Sequence, residues 1–124
     1  MKYPWWLPFG AVPEIETAQL HARLASESAP QVIDVRTVAE WRGSRISGAI
    51  SVPVTELKAR LPSLGLDRNR TVVAICLSAH RSIPAVRMLR ASGYDARQLR
   101  QGMRAWWRAG LPVEQGDGGR SDRP

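Results

Sequence analysis

The sequence predicts an α/β domain: a mainly parallel sheet flanked by helices on both faces. Two observations carry this. Short uncharged runs rich in β-branched residues alternate with segments whose apolar residues recur at three- and four-residue spacing. The clearest strand run is also apolar continuously rather than alternately, the mark of a strand covered on both faces. A chain of 124 residues accommodates one such domain and buries a core without disulfide or metal support.

The elements follow in order. Thr17 is placed to cap a helix whose apolar positions are Leu20 and Leu24. Val32-Ile33-Asp34-Val35 reads as a short buried strand. Thr37 and Glu40 form a capping-box pair for a helical turn that ends near Gly43. Ala49-Ile50-Ser51-Val52 is a second strand, stopped by Pro53, and a helix from about Thr55 to Leu61 presents Leu57 and Leu61 on one face. Thr71-Val72-Val73-Ala74-Ile75 is the strongest strand, and it runs directly into Cys76. Ser82 to Ser92 carries Ile83, Val86 and Leu89 on one helical face, with Gly93 at the position after the C-cap. Ala96 to Leu99 is a weaker strand, and a last helix spans about Met103 to Ala109 before Gly110 and Pro112. No internal repeat is visible.

Composition narrows the function classes. A 44% hydrophobic, 23% charged chain is neither disordered nor a coiled coil, and no run approaches the length of a membrane span. Eighteen Lys and Arg against eleven acids give a net charge of +7. The excess gathers in Arg81, Arg87, Arg90, Arg97, Arg100, Arg104 and Arg108, a stretch whose only acid is Asp95. These arginines are spaced as solvated faces, without stacking aromatics until Trp106 and Trp107, so a field that draws in anions is favoured over a nucleic-acid partner. The single cysteine excludes an internal disulfide, and with His80 and the distant His21 it is too little for a metal site. No cofactor is expected.

The chain ends read differently. Residues 1–11 form an aromatic arm with Trp5, Trp6 and Phe9, interrupted by Pro4, Pro8 and Gly10. Those breaks spoil a signal-peptide core, which leads to the expectation of a cytoplasmic location and a free thiol. The arm is expected to lie over its own domain rather than on a membrane or partner. The domain itself is assigned to residues 12–113, and residues 114–124, rich in Gly, Asp and Arg, are expected to form a disordered tail.

The chemistry is expected in Cys76-Leu77-Ser78-Ala79-His80-Arg81-Ser82, where a strand ends, the chain turns and a helix begins. In parallel sheets ligands bind at the carboxyl ends of strands, and such a turn gathers backbone N–H groups into an anion cradle. A thiol at its rim has a lowered pKa and exists largely as thiolate. Ser78 and Ala79 are small enough for a tight turn, Pro84 fits the first helical turn, and Ser82 is placed to cap the helix and offer its hydroxyl to the sulfur. His80 reads as a surface residue rather than a base. An inert, buried cysteine is the weaker alternative, because the turn also supplies Arg81 and Ser82.

At these residues the chain resembles the single-domain rhodanese-like sulfurtransferases, from about Val12 to Val113. The resemblance rests on Val32-Ile33-Asp34-Val35-Arg36 with Glu40-Trp41, on Ile46-Ser47-Gly48-Ala49-Ile50, on the Cys76–Ser82 loop, and on Gly102-Met103-Arg104-Ala105-Trp106 with Ala109-Gly110-Leu111-Pro112. It implies a rhodanese-like fold with a central five-stranded sheet. It also implies that Cys76 takes sulfane sulfur from a small donor, thiosulfate or a persulfide, and passes it to cyanide, a thiol or a sulfur-carrier protein. Arg81 then braces the loop and attracts anions. Asp34 and Arg36 support the site, Asp34 as a strand-end hydrogen-bond anchor and Arg36 either as structure or at the pocket mouth. A monomer or weak dimer is expected.

Two positions depart from the family pattern. Ser44-Arg45 stand where Gly-His is usual, and Leu77 and Ala79 replace an arginine and a glycine of the loop. Leu77 removes a charge that attracts thiosulfate, and Ala79 accepts positive φ less readily than glycine, which points towards a protein or persulfide donor. A phosphatase or arsenate reductase of related loop type is the nearest enzymatic rival, but its loop has one more residue between cysteine and arginine. A non-catalytic partner-binding or sulfur-relay module is the other alternative, motivated by Trp5, Trp6, Trp107 and the arginines.

Overall fold

A computed structural model describes residues 11–116. Five strands form one all-parallel sheet: β1 (Glu14–Ile15), β2 (Gln31–Asp34), β3 (Ile50–Ser51), β4 (Val72–Ile75) and β5 (Ala96–Leu99), in the order β1-β5-β4-β2-β3. Five α-helices alternate with them: α1 (Thr17–Leu24), α2 (Val38–Gly43), α3 (Val54–Arg60), α4 (Ser82–Ala91) and α5 (Gly102–Arg108). β4 lies in the middle of the sheet, and every residue of it is buried.

The period-two pleat sorts the strand side chains into two cores. Ile33, Val72, Ala74 and Ala96 pack with Leu57 of α3 and with Ala85, Val86, Met88 and Leu89 of α4. Val32, Val73, Ile75 and Leu99 pack on the opposite face with Leu20 of α1 and with Met103 and Trp106 of α5. The Trp106 indole N–H donates to the Pro112 carbonyl at 2.9 Å, which satisfies the one polar atom of a side chain only 1% exposed. Among the described residues no helix is long and apolar enough to cross a membrane.

The predicted elements are all present, with shifts of a residue or two at their ends. Three points differ in substance. Thr17 is the first helical residue rather than the cap of α1; the cap is Glu16, whose N–H donates to Gln19 Oε1 at 3.1 Å. A fifth strand, β1, was not legible in the residue pattern, because two residues are too few to show a period; its register against Gln98 and Leu99 places it. The third is at the C-terminal side, where the expected tail does not begin at Glu114. Arg45 N–H donates to Glu114 O at 2.9 Å, Glu114 N–H donates back at 2.8 Å, and Gly116 N–H donates to Arg42 O at 2.8 Å. The Arg45 side chain, 3% exposed, stacks 3.9 Å over Trp41 and donates to the Gly116 carbonyl at 2.7 Å. The aromatic arm, apart from Ala11, and the remainder of the tail beyond Gly116 lie outside the described residues.

Candidate active site

Cys76 follows β4 directly, so the sheet fixes its backbone, and the chain then turns through residues 77–81 into α4. The sulfur sits at the floor of this turn, not at its rim: Cys76 is 2% exposed and packs against the α3/α4 core. The Arg81 backbone N–H donates to Cys76 Sγ at 3.1 Å. Burial alone raises a thiol pKa. Here the backbone N–H groups of Ser78, Arg81 and Ala79, together with the Arg81 charge, outweigh that burial and bring the Cys76 pKa below its ordinary value. Ala79 takes φ +89 to let the turn close, a left-handed conformation that costs an alanine about 1–2 kcal/mol.

The Arg81 side chain bridges the loop to α2, close enough to Cys76 for its charge to act on the sulfur. Its guanidinium holds the Glu40 carboxylate in a fork, with contacts of 2.7 Å and 3.0 Å. That pairing, against a smaller opposing effect of burial, holds the Glu40 pKa down to about 2 and raises that of Arg81. Glu40 also closes the expected capping box: Thr37 N–H donates to Glu40 Oε1 at 2.9 Å, and Glu40 N–H donates to Thr37 Oγ1 at 3.2 Å. One carboxylate therefore fixes the start of α2 and the end of the cysteine loop.

The other side of the loop is clamped by α5. Met103 N–H donates to the Cys76 carbonyl at 2.8 Å, and Arg104 N–H donates to the Leu77 carbonyl at 3.1 Å. The approach is so close that a Cβ on Gly102 would sit 2.3 Å from the Cys76 carbonyl oxygen. Gly102 also takes φ +58, so both space and dihedral demand glycine there.

Ser82 does not cap α4, and its hydroxyl does not face the sulfur; both expectations are corrected. Arg81 occupies the cap position, and Ser82, the first helical residue, donates from Oγ to Gln98 Oε1 at 2.6 Å. Gln98 in turn donates from Nε2 to Glu14 Oε2 at 2.8 Å, so a polar chain runs from α4 through β5 to β1. The hydroxyl is drawn there because Ser82 and Gln98 are both buried and need partners. Asp34 and Arg36 form a buried pair: Asp34 Oδ1 accepts from the Arg36 Nε at 2.9 Å, and Oδ2 accepts from Nη2 at 2.7 Å. Nη2 also donates to the Ser44 carbonyl at 2.6 Å. At 2% exposure Arg36 does not line a pocket mouth; it ties the end of β2 to the end of α2. His80 is exposed, as expected, with Nδ1 at 3.3 Å from Ser78 Oγ.

The rhodanese-like domain family matches residues 16–109, most of the chain, including the Cys76–Ser82 loop. The chain belongs to that family. Its similarity extends to a sulfurtransferase of Allochromatium vinosum, 36% identical over 103 residues that make up 82% of this chain and 94% of the relative. An HTH-type transcriptional regulator of Mycobacterium tuberculosis is 40% identical over 87 residues, 68% of this chain, but the chain spans only 38% of that relative. Among solved structures, a rhodanese-related protein from Thermoplasma volcanium superposes with a TM-score of 0.75 at 28% identity, covering 83% of this chain and 98% of that one.

Within this rhodanese-like domain, four residues that support the loop have a role that the sequence alone does not show: Glu40, Gln98, Glu14 and Gly102. Glu40 was legible only as a capping residue, because nothing local shows that its carboxylate serves a loop forty-one residues later. Gln98 reads as an ordinary position of the weak Ala96–Leu99 strand, and Glu14 lies in a strand too short to show in the residue pattern. Gly102 carried a signal, a glycine at a helix start where a better cap was available, which indicates close backbone approach.

Proposed function

We propose that this domain is a sulfurtransferase that carries sulfane sulfur as a persulfide on Cys76. The observation that carries the reading is a lone thiol held under converging backbone N–H groups with its pKa lowered, at the carboxyl end of the central strand. The Cys76 thiolate attacks the outer sulfur of thiosulfate; the new S–S bond forms as the old one breaks, and sulfite leaves with the electron pair. The terminal sulfur then carries the negative charge, and the N–H groups of Ser78, Ala79 and Arg81 are the donors positioned to stabilise it. Attack on that sulfur by cyanide or a thiolate forms the product bond and returns the Cys76 thiolate, a two-step covalent cycle.

The similarity to a sulfurtransferase over nearly its full length supports the same reading. Four residues separate Cys76 from Arg81, and the guanidinium is held in a fork by Glu40, which favours a sulfur-sized anion over a phosphate ester. Intact mass spectrometry after incubation with thiosulfate tests the proposal. A gain of about 32 Da, one sulfur atom, that is lost on adding cyanide and absent in Cys76→Ala is expected. No mass gain from thiosulfate or from a persulfide donor would overturn the reading.

A further inference from the structure

We infer that Arg104 is the specificity-determining cation that recruits anionic donors to Cys76, an inference that rests on the sulfurtransferase reading. The loop offers an incoming anion no uncommitted charge of its own. Leu77 and Ala79 are apolar, and Arg81 is forked onto Glu40. Other arginines of the domain are also engaged: Arg36 with Asp34, Arg45 with Glu114, Arg90 and Arg97 with Asp95, and Arg100 with Glu16. Arg104 is exposed, and among the described residues no carboxylate pairs with it. Its own backbone nitrogen lies 3.1 Å from the carbonyl of Leu77, the residue next to the nucleophile. The clamp that requires Gly102 thus also roots an exposed arginine, with no paired carboxylate among the described residues, beside the loop.

Such a charge acts on a charged reagent approaching the sulfur and not on a neutral one, so its signature is a difference between reagents. Cys76 is the only cysteine, so alkylation reports on it alone. Arg104→Gln is expected to slow alkylation by iodoacetate about two- to threefold at low salt, the scale of one unit-charge attraction within a Debye length in water. Arg104→Glu doubles the effect on the logarithm, and both losses fade as salt is raised. Alkylation by neutral iodoacetamide is expected to stay unchanged, and Arg104→Lys is expected to restore most of the iodoacetate rate. In thiosulfate turnover the loss appears in KM rather than kcat. Arg108→Gln, which removes the same charge one turn further along α5, is expected to have little effect.

Equal slowing of both reagents, or an equal effect of Arg108→Gln, would assign the effect to structure or to net charge and overturn the assignment. So would an unchanged iodoacetate rate in Arg104→Glu. A failure confined to Arg104 leaves the mass gain on thiosulfate intact, whereas a Cys76 that neither reagent labels removes the transferase reading itself.

Discussion

The close approach of Gly102 to the Cys76 carbonyl makes Gly102→Ala the most informative single perturbation. The added methyl would meet Cys76 O at 2.3 Å and Leu77 C and O at 2.7 Å, all backbone atoms that cannot rotate aside. Relief requires α5 to draw back, which breaks the N–H bonds from Met103 and Arg104 to the loop, about 1 kcal/mol each. Alanine at φ +58 adds about 1–2 kcal/mol. Together these give a loss of about 3–4 kcal/mol, which for a domain of this size lowers Tm by roughly 12–16 °C. Thermal unfolding followed by circular dichroism reads the loss, and iodoacetamide alkylation at fixed pH reads the displacement of Cys76 in the surviving fold. A Tm within about 4 °C of the parent, with unchanged alkylation, would refute the claim that α5 clamps the loop.

Further outcomes follow from the same geometry. The rate of Cys76 alkylation against pH is expected to reach half its plateau below the usual thiol value of about 8.5, and a midpoint at or above that value would show that burial outweighs the N–H donors. Ser82→Ala strands the buried Gln98 carbonyl oxygen and is expected to cost about 1–3 kcal/mol in urea unfolding, with the Cys76 midpoint unmoved, since the hydroxyl faces Gln98; a raised midpoint contradicts this. Asp34→Asn leaves Arg36 charged and buried and is expected to cost about 3–5 kcal/mol, a loss that Arg36→Met in the same chain partly restores. Glu40→Gln is expected to cost about 1 kcal/mol at pH 7, because the pair is about one-third exposed and screened. The folded carboxylate's pKa of about 2 lies below its ordinary 4.5, so this advantage is full above pH 4.5 and fades as pH falls towards 2; a difference that grows on acidification would reverse the sign of the argument.

What could be read in the sequence was whatever a local pattern encodes. The continuous apolar run before Cys76 identified the central strand, and the Thr37–Glu40 spacing identified the α2 cap, because both depend on neighbours in the chain. The cradle was also legible, since a strand, a short turn and a helix suffice to make converging N–H groups converge on the sulfur. The direction of the Ser82 hydroxyl was not, because Gln98 competes for it from another strand, and the partner of Arg81 was hidden for the same reason. The two-residue β1 exists only through its register with β5. Tertiary partners decided each of these, and no spacing rule reaches them.

The antiparallel pairing of Glu114 with Arg45 sets where this domain can safely be shortened. Trimming the chain after Val113 would remove the two Arg45–Glu114 backbone bonds and the two hydrogen bonds to Gly116, and bare a guanidinium that now rests on Trp41, loosening the helix that bears Glu40. An engineered fusion joined beyond Gly116 keeps that helix seated, and with it the brace on Arg81.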